Sequence, residues 1–163
     1  MHFMMIFLIS LSVQAAGCKN YSQLAEYLNT KKFIQASRDH RKLHGRELTI
    51  ELADINQARS VAYRFPAFEE LGFGAPGGAK WAPYPSRHPH SVFHGKNVGW
   101  EIHNEKGHAR VRVDWDPDKG AHYNIEIHEK GKTDTHKMAI SFKCGDKPCT
   151  QEQALKMVEK WQP

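Results

Sequence analysis

The chain has 163 residues, 25% of them charged and 40% hydrophobic, and a net charge of +5 with histidine neutral. These values exclude wholesale disorder, a collagen-like repeat and a coiled coil, and the length suits one domain with its own core. Beyond the N-terminus no apolar stretch is long enough to cross a bilayer, and the positive balance suits a polyanionic partner, although many exported proteins are simply basic.

Residues 1–17 read as an export signal. Phe3 to Val13 is an apolar run too short for a comfortable membrane span, and small residues follow at Ala15, Ala16 and Gly17. Val13 and Ala15 satisfy the small-x-small rule for cleavage before Ala16, while the segment ahead of the run lacks Lys or Arg. A buried N-terminal helix is the competing reading. Ala15-Ala16-Gly17-Cys18 resembles a bacterial lipobox, so Cys18 is either lipidated or remains as the odd cysteine of three. Cys144 and Cys149 flank the turn-forming Gly145-Asp146-Lys147-Pro148 and are expected to pair in an oxidising compartment. The expected location is periplasmic or extracellular, lipid-anchored if Cys18 is modified.

Residues 18–163 are expected to form a single α+β domain. Tyr21 to Ser37 reads as a helix with Ser22 as N-cap and a stripe of Leu24, Leu28 and Ile34. A basic stretch follows from Arg38 to Arg46, with His40 and His44 inside it. Leu48, Ile50 and Leu52 alternate with Thr49 and Glu51, which fits a short strand. Asp54 is placed to cap a helix carrying Ile55, Ala58, Val61 and Ala62 on one face, ended by Pro66. Gly72 to Lys96 is rich in Gly and Pro and cannot continue a helix or a central strand. Its length suggests a functional loop, and Lys80, Trp81, Tyr84, Arg87 and Lys96 interleave cations with aromatics, as a nucleic-acid chain requires. A mobile surface loop with aromatic anchors is the alternative.

Four runs of period-two alternation then follow: Val98 to His103, His108 to Trp115, Ala121 to His128, and His136 to Lys143. Turns at Asp116–Gly120 and Gly131–Lys132 separate them. Thr150 and Gln153 form a capping box for a last helix with Ala154, Leu155, Val158 and Trp161 on its apolar face. The expected architecture is N-terminal helices, a four-stranded antiparallel meander with one buried face, and a C-terminal helix.

The exposed parity of the meander gathers Glu101, His103, His108, Arg110, Arg112, Asp114, His122, Asn124, Glu126 and His128. One register sets Asp114 opposite His122 and Arg112 opposite Asn124; a shift of two brings Arg112 near Glu126. Either way imidazoles, guanidinium groups and carboxylates meet, a set able to move protons and stabilise a phosphoryl transition state. An ordinary solvated face needs no such histidine content, but cross-strand ion pairs decorate many sheets. His136 falls on the buried parity. His88, His90 and His94 raise a competing metal reading, weakened by the lack of a carboxylate or cysteine in that segment. No metal or cofactor is expected.

The segment from Ala109 to Glu126, with Asp116-Pro-Asp-Lys-Gly120 followed by His122-Tyr-Asn-Ile-Glu126, resembles the C-terminal nuclease-like domains of bacterial polymorphic toxins of the Rhs and contact-dependent inhibition type. The resemblance covers Val98 to Phe142. It implies a ribonuclease of the broad barnase/EndoU/colicin/RelE group, with His122, Arg112 and Asp114 at the site and Asn124 orienting them. It also implies a cognate immunity protein as partner.

The resulting expectation is an exported, toxin-like endoribonuclease without a metal, using His and Glu for proton transfer and Arg for the transition state. Its catalytic set is His122, Arg112, Asp114, Asn124, Glu126, His108 and His103; its RNA contacts are Lys80, Trp81, Tyr84, Arg87, Lys96 and Arg110. The alternative is a non-catalytic envelope protein or lipoprotein that binds an anionic ligand or a protein partner.

Overall fold

The computed structural model describes residues 28–160. The export signal, Cys18, the helix start at Tyr21 and Ser22, Leu24 and Trp161 lie outside the described residues. The first described helix, α1 (Thr30–His44), starts at Asn29, whose side chain accepts from Lys32 N at 3.1 Å. It continues to His44, so most of the basic stretch expected to follow it is helical. Arg41, Lys42 and His44 then sit in the last turn, where the helix dipole favours positive charge. Thr30, Phe33 and Ser37 face inward, whereas Leu28, assigned to the apolar stripe from sequence, is exposed.

β1 (Leu48–Leu52) alternates buried and exposed residues. Asp54 caps α2 (Ile55–Tyr63), accepting from Asn56 N and Gln57 N at 2.8 and 3.0 Å. Pro66 does more than end that helix. It starts α3 (Pro66–Glu70), since a proline at the first helical position lacks only an amide that would be unpaired anyway. The strands β2 (Ala82–Pro85), β3 (Asn97–Asn104), β4 (Gly107–Asp116), β5 (Gly120–Glu129), β6 (Thr135–Cys144) and β7 (Lys147–Pro148) follow, then α4 (Gln151–Lys160). α4 carries the reciprocal cap, with Thr150 N donating to Gln153 Oε1 at 2.9 Å and Gln153 N to Thr150 Oγ1 at 3.3 Å.

The sheet corrects the expected four-stranded antiparallel meander. It is mixed and seven-stranded, ordered β1-β6-β5-β4-β3-β2, with β7 paired to β6. β1 lies parallel to β6, Leu48 opposite Met138 and Leu52 opposite Phe142. β2 pairs antiparallel with β3 at the opposite edge, where its prolines cost no ladder bonds to a further strand.

One face of the sheet holds the core. Val98, Ile102, Val111, Tyr123, Ile125, Ile127, Met138 and Ile140 are buried together with Phe33, Phe65 and Phe68 of the helical layer. His136 is also buried in this layer, edge-on to Phe33 at 6.4 Å. Burial of large aromatic and aliphatic side chains at about 1.5–3 kcal/mol each is the main favourable term holding the helices to the sheet. β5 is buried on both faces, so His122, Asn124 and Glu126 on its polar side are covered as well. Cys144 and Cys149 are disulfide-bonded. No helix among the described residues is long and apolar enough to cross a membrane.

Candidate active site

The β4–β5 register sets Asp114 opposite His122, Arg112 opposite Asn124 and Arg110 opposite Glu126. Of these, Arg112, Asp114, His122 and Asn124 form the floor of a cavity of about 620 Å³. Tyr84 of β2 and the loop from Ser86 to Val92 form one wall; Trp115, Asp116, Pro117 and Lys119 at the end of β4 form another. The loop is tied at both ends, since Ser86 N donates to Lys96 O and Gly95 N to Ser86 O, and buried Phe93 pins it. At the rim Lys119 Nζ meets Glu47 Oε1 at 2.5 Å.

His122 is 3% exposed, and its Nδ1 lies 3.0 Å from Gly120 O. A carbonyl only accepts, so Nδ1 carries the hydrogen and Nε2 of the neutral ring keeps its lone pair. Asn124 Nδ2 lies 3.4 Å from that Nε2 and donates to Asp114 Oδ2 at 2.5 Å. Arg112 Nε donates to the same oxygen at 2.8 Å. Asp114 therefore does not hold the imidazole directly, as the strand pairing suggested; it anchors Arg112 and Asn124, and the Gly120 carbonyl fixes the ring.

Glu126 accepts from Lys137 Nζ at 2.8 Å and pairs with Arg112 Nη1 at 3.1 Å and with Arg110. Burial alone would push its carboxyl up, but Arg112, Lys137 and Arg110 outweigh burial and hold its pKa at about 2. Burial likewise opposes the charge on Arg112, and Asp114 and Glu126 overcome it, so the guanidinium stays ionised. A carboxylate held in this way is a poor proton donor or acceptor near neutrality. Glu126 braces Arg110 and Arg112, a pairing that the expectation of Glu acid–base chemistry did not include.

Tyr84 is ringed by guanidinium groups: Arg110, Arg87 and Arg112 lie 5.3, 5.6 and 5.8 Å from its ring centroid. Gly99 makes this possible. It sits between Tyr84 and Arg112 in the ladder, and a Cβ there would come within 1.9 Å of Val111 O. Arg110 Nη1 also donates to the Tyr84 hydroxyl at 3.1 Å.

His122, Asn124, Asp114 and Arg112 thus share one cavity with Tyr84 and Arg87. His103 and His108 do not. They stack with His128 at the other end of the strands, centroids 5.4 and 5.0 Å apart, and burial followed by the neighbouring His128 and Arg110 charges depresses the His108 pKa. Trp81, expected to stack on bases, is buried instead: its Nε1 donates to Phe73 O at 3.1 Å and its ring packs edge-on to Phe68. Lys96 pairs with Glu159 at 2.9 Å, and exposed Lys80 lies outside the cavity lining.

His88 and His90, read from sequence only as loop residues and candidate metal ligands, line the same cavity as His122. Their ring centroids are 5.8 Å apart, while His94 does not line the cavity. The length of the loop was the signal that pointed to them. Among the described residues no three His, Cys, Asp or Glu side chains are grouped to hold a metal ion. No family model and no curated protein matches the chain.

Proposed function

We propose that the protein is an exported, toxin-like endoribonuclease that cleaves RNA without a metal. The observation that carries this reading is the shared cavity, in which a tautomer-fixed imidazole faces two guanidinium groups and two loop imidazoles. His122 Nε2 takes the proton of a ribose 2′-hydroxyl. The 2′-oxygen attacks the adjacent phosphorus, and the bond to the 5′-oxygen breaks. A protonated His88 or His90 gives that oxygen its proton, leaving a 2′,3′-cyclic phosphate. Arg112, braced by Asp114 and Glu126, and Arg87 offset the charge of the pentacoordinate phosphorus. The internal nucleophile of RNA is what lets this set work without a Lewis acid. A small acidic inhibitor protein is the partner this reading implies for the producing cell, and the Cys144–Cys149 bond is compatible with export.

The test is incubation of purified protein with RNA in excess EDTA. Cleavage ending in cyclic phosphate is expected, and His122→Ala should lower its rate about 10²–10⁴-fold with the fold intact. Loss in the combined His88→Ala, His90→Ala variant identifies the loop as the acid. Intact RNA overturns the nuclease reading. Intact RNA that is nevertheless bound favours the second reading, a non-catalytic anion-binding envelope protein, for which the arginines around Tyr84 are the supporting observation.

A further inference from the structure

We infer that the Cys144–Cys149 loop positions His122, so that proton transfer in the cavity depends on the oxidation state of this cysteine pair. The inference rests on the ribonuclease reading and adds to it a device remote from the arginines. Gly120 has φ of +66°, and a Cβ there would lie 3.0 Å from Pro148 Cβ and 3.3 Å from both Cys149 N and Cys149 O. The Gly120 backbone thus rests on the Pro148–Cys149 peptide, and its carbonyl accepts from His122 Nδ1 at 3.0 Å. Trp115 in the cavity wall donates from Nε1 to Cys149 O at 3.2 Å. Gln151, two residues past the disulfide, lines the same cavity.

Cys149 is buried in the core at one end of the loop, whereas the loop's other ties are few. β7 pairs with β6 only through Lys143–Pro148 and Cys144–Lys147. The covalent link encloses a short segment, so it contributes little to global stability, and its effect is local. A dithiol reduces the pair by exchange: it supplies two electrons and two protons, leaves two cysteine thiols and becomes a cyclic disulfide itself. The freed Cys149 carbonyl no longer fixes Trp115, and Gly120 loses the surface that sets its carbonyl. His122 then loses its fixed acceptor. Misplacing a reacting group by about 1 Å can cost about 10²-fold in rate, so the reduced protein should be at least about tenfold slower.

The experiment compares oxidised protein, protein reduced with dithiothreitol, and the Cys144→Ser, Cys149→Ser double variant. Each is read by RNA cleavage in EDTA across pH, by far-ultraviolet circular dichroism, and by the ¹⁵N signals of the His122 ring. Expected is an unchanged fold, slower cleavage with a shifted pH profile, and loss of the fixed Nδ1–H tautomer in the reduced forms. Equal cleavage and identical ring signals in all forms overturn the inference and leave the nuclease reading standing. If even oxidised protein leaves RNA intact, the nuclease reading fails, and the ring signals alone decide the coupling: changed on reduction they support it, unchanged they end it. If reduction unfolds the chain, Trp115→Phe with the disulfide intact supplies the same readout, a moved His122 spectrum in support and an unmoved one against.

Discussion

Glu126 shows how a single buried charge organises this site. It is 3% exposed and compensated by Arg110, Arg112 and Lys137. Glu126→Gln leaves those cations crowded without their counter-charge, and breaking such a buried network typically costs about 3–5 kcal/mol. Urea denaturation at neutral pH checks this. The carboxyl titrates at about 2 in the folded chain against an ordinary 4.5, so its stabilisation is complete above 4.5 and is lost as pH falls towards 2. The stability gap between wild type and variant should therefore narrow over that acid range. From sequence, strand parity brought Glu126, Arg112 and Asn124 to one face. Parity does not tell which charges neutralise each other. That depends on the reach of side chains across the diagonal: Arg112 contacts Asp114 two residues along its own strand as well as Glu126 on the next.

Among the elements, β3 depends on Gly99. Gly99→Ala would drive a Cβ into Val111 O and to 2.6 Å from Arg112 Cα, both backbone atoms that cannot swing away. The cost should match or exceed the about 1–3 kcal/mol of an overpacked site, read by thermal or urea unfolding. Amide exchange should quicken first along Trp100 and Val111, which pair there. The elements that were legible in the sequence carry local signals. Asp54 and the Thr150–Gln153 pair announce their helices because a cap and its amide lie within three residues. The Asn29 cap of α1 was not legible, since it falls inside the run from Tyr21 to Ser37 that reads as one helix. β2 was hidden because Pro83 and Pro85 read as breakers, and only an edge position tolerates them.

At the scale of the whole molecule, charge and topology set how RNA would meet the cavity. Arg87 pairs with Glu101 at 3.1 Å but lines the cavity with a side chain 69% exposed, whereas Lys96 pairs with Glu159 on α4 and lies outside the cavity lining. RNA binding should weaken with salt, with a slope of about −0.7 for each phosphate neutralised on a single strand. Arg87→Ala is expected to flatten that slope and Lys96→Ala to leave it unchanged; filter binding across a salt series distinguishes them. The parallel β1–β6 pair was illegible for a different reason. Alternation identifies a strand but not its neighbour, and a partner 90 residues downstream leaves no local trace.

That same pairing has a consequence for how the chain is made. β1 leaves the ribosome well before Thr135, the first residue of the strand it lies against. At synthesis rates of about 5–20 residues per second, β1 waits about 4–16 seconds for β6. At the end of that interval, once β5 has been made, its edge is bare as well, because β6 is the strand between it and β1. The sheet cannot close from its N-terminal end, and β1 stays unpaired until β6 has been made. Such a delay keeps the first strand without its partner while more than half of the sheet is being made, and it keeps His122 from its finished surroundings until Cys144 and Cys149 have been added.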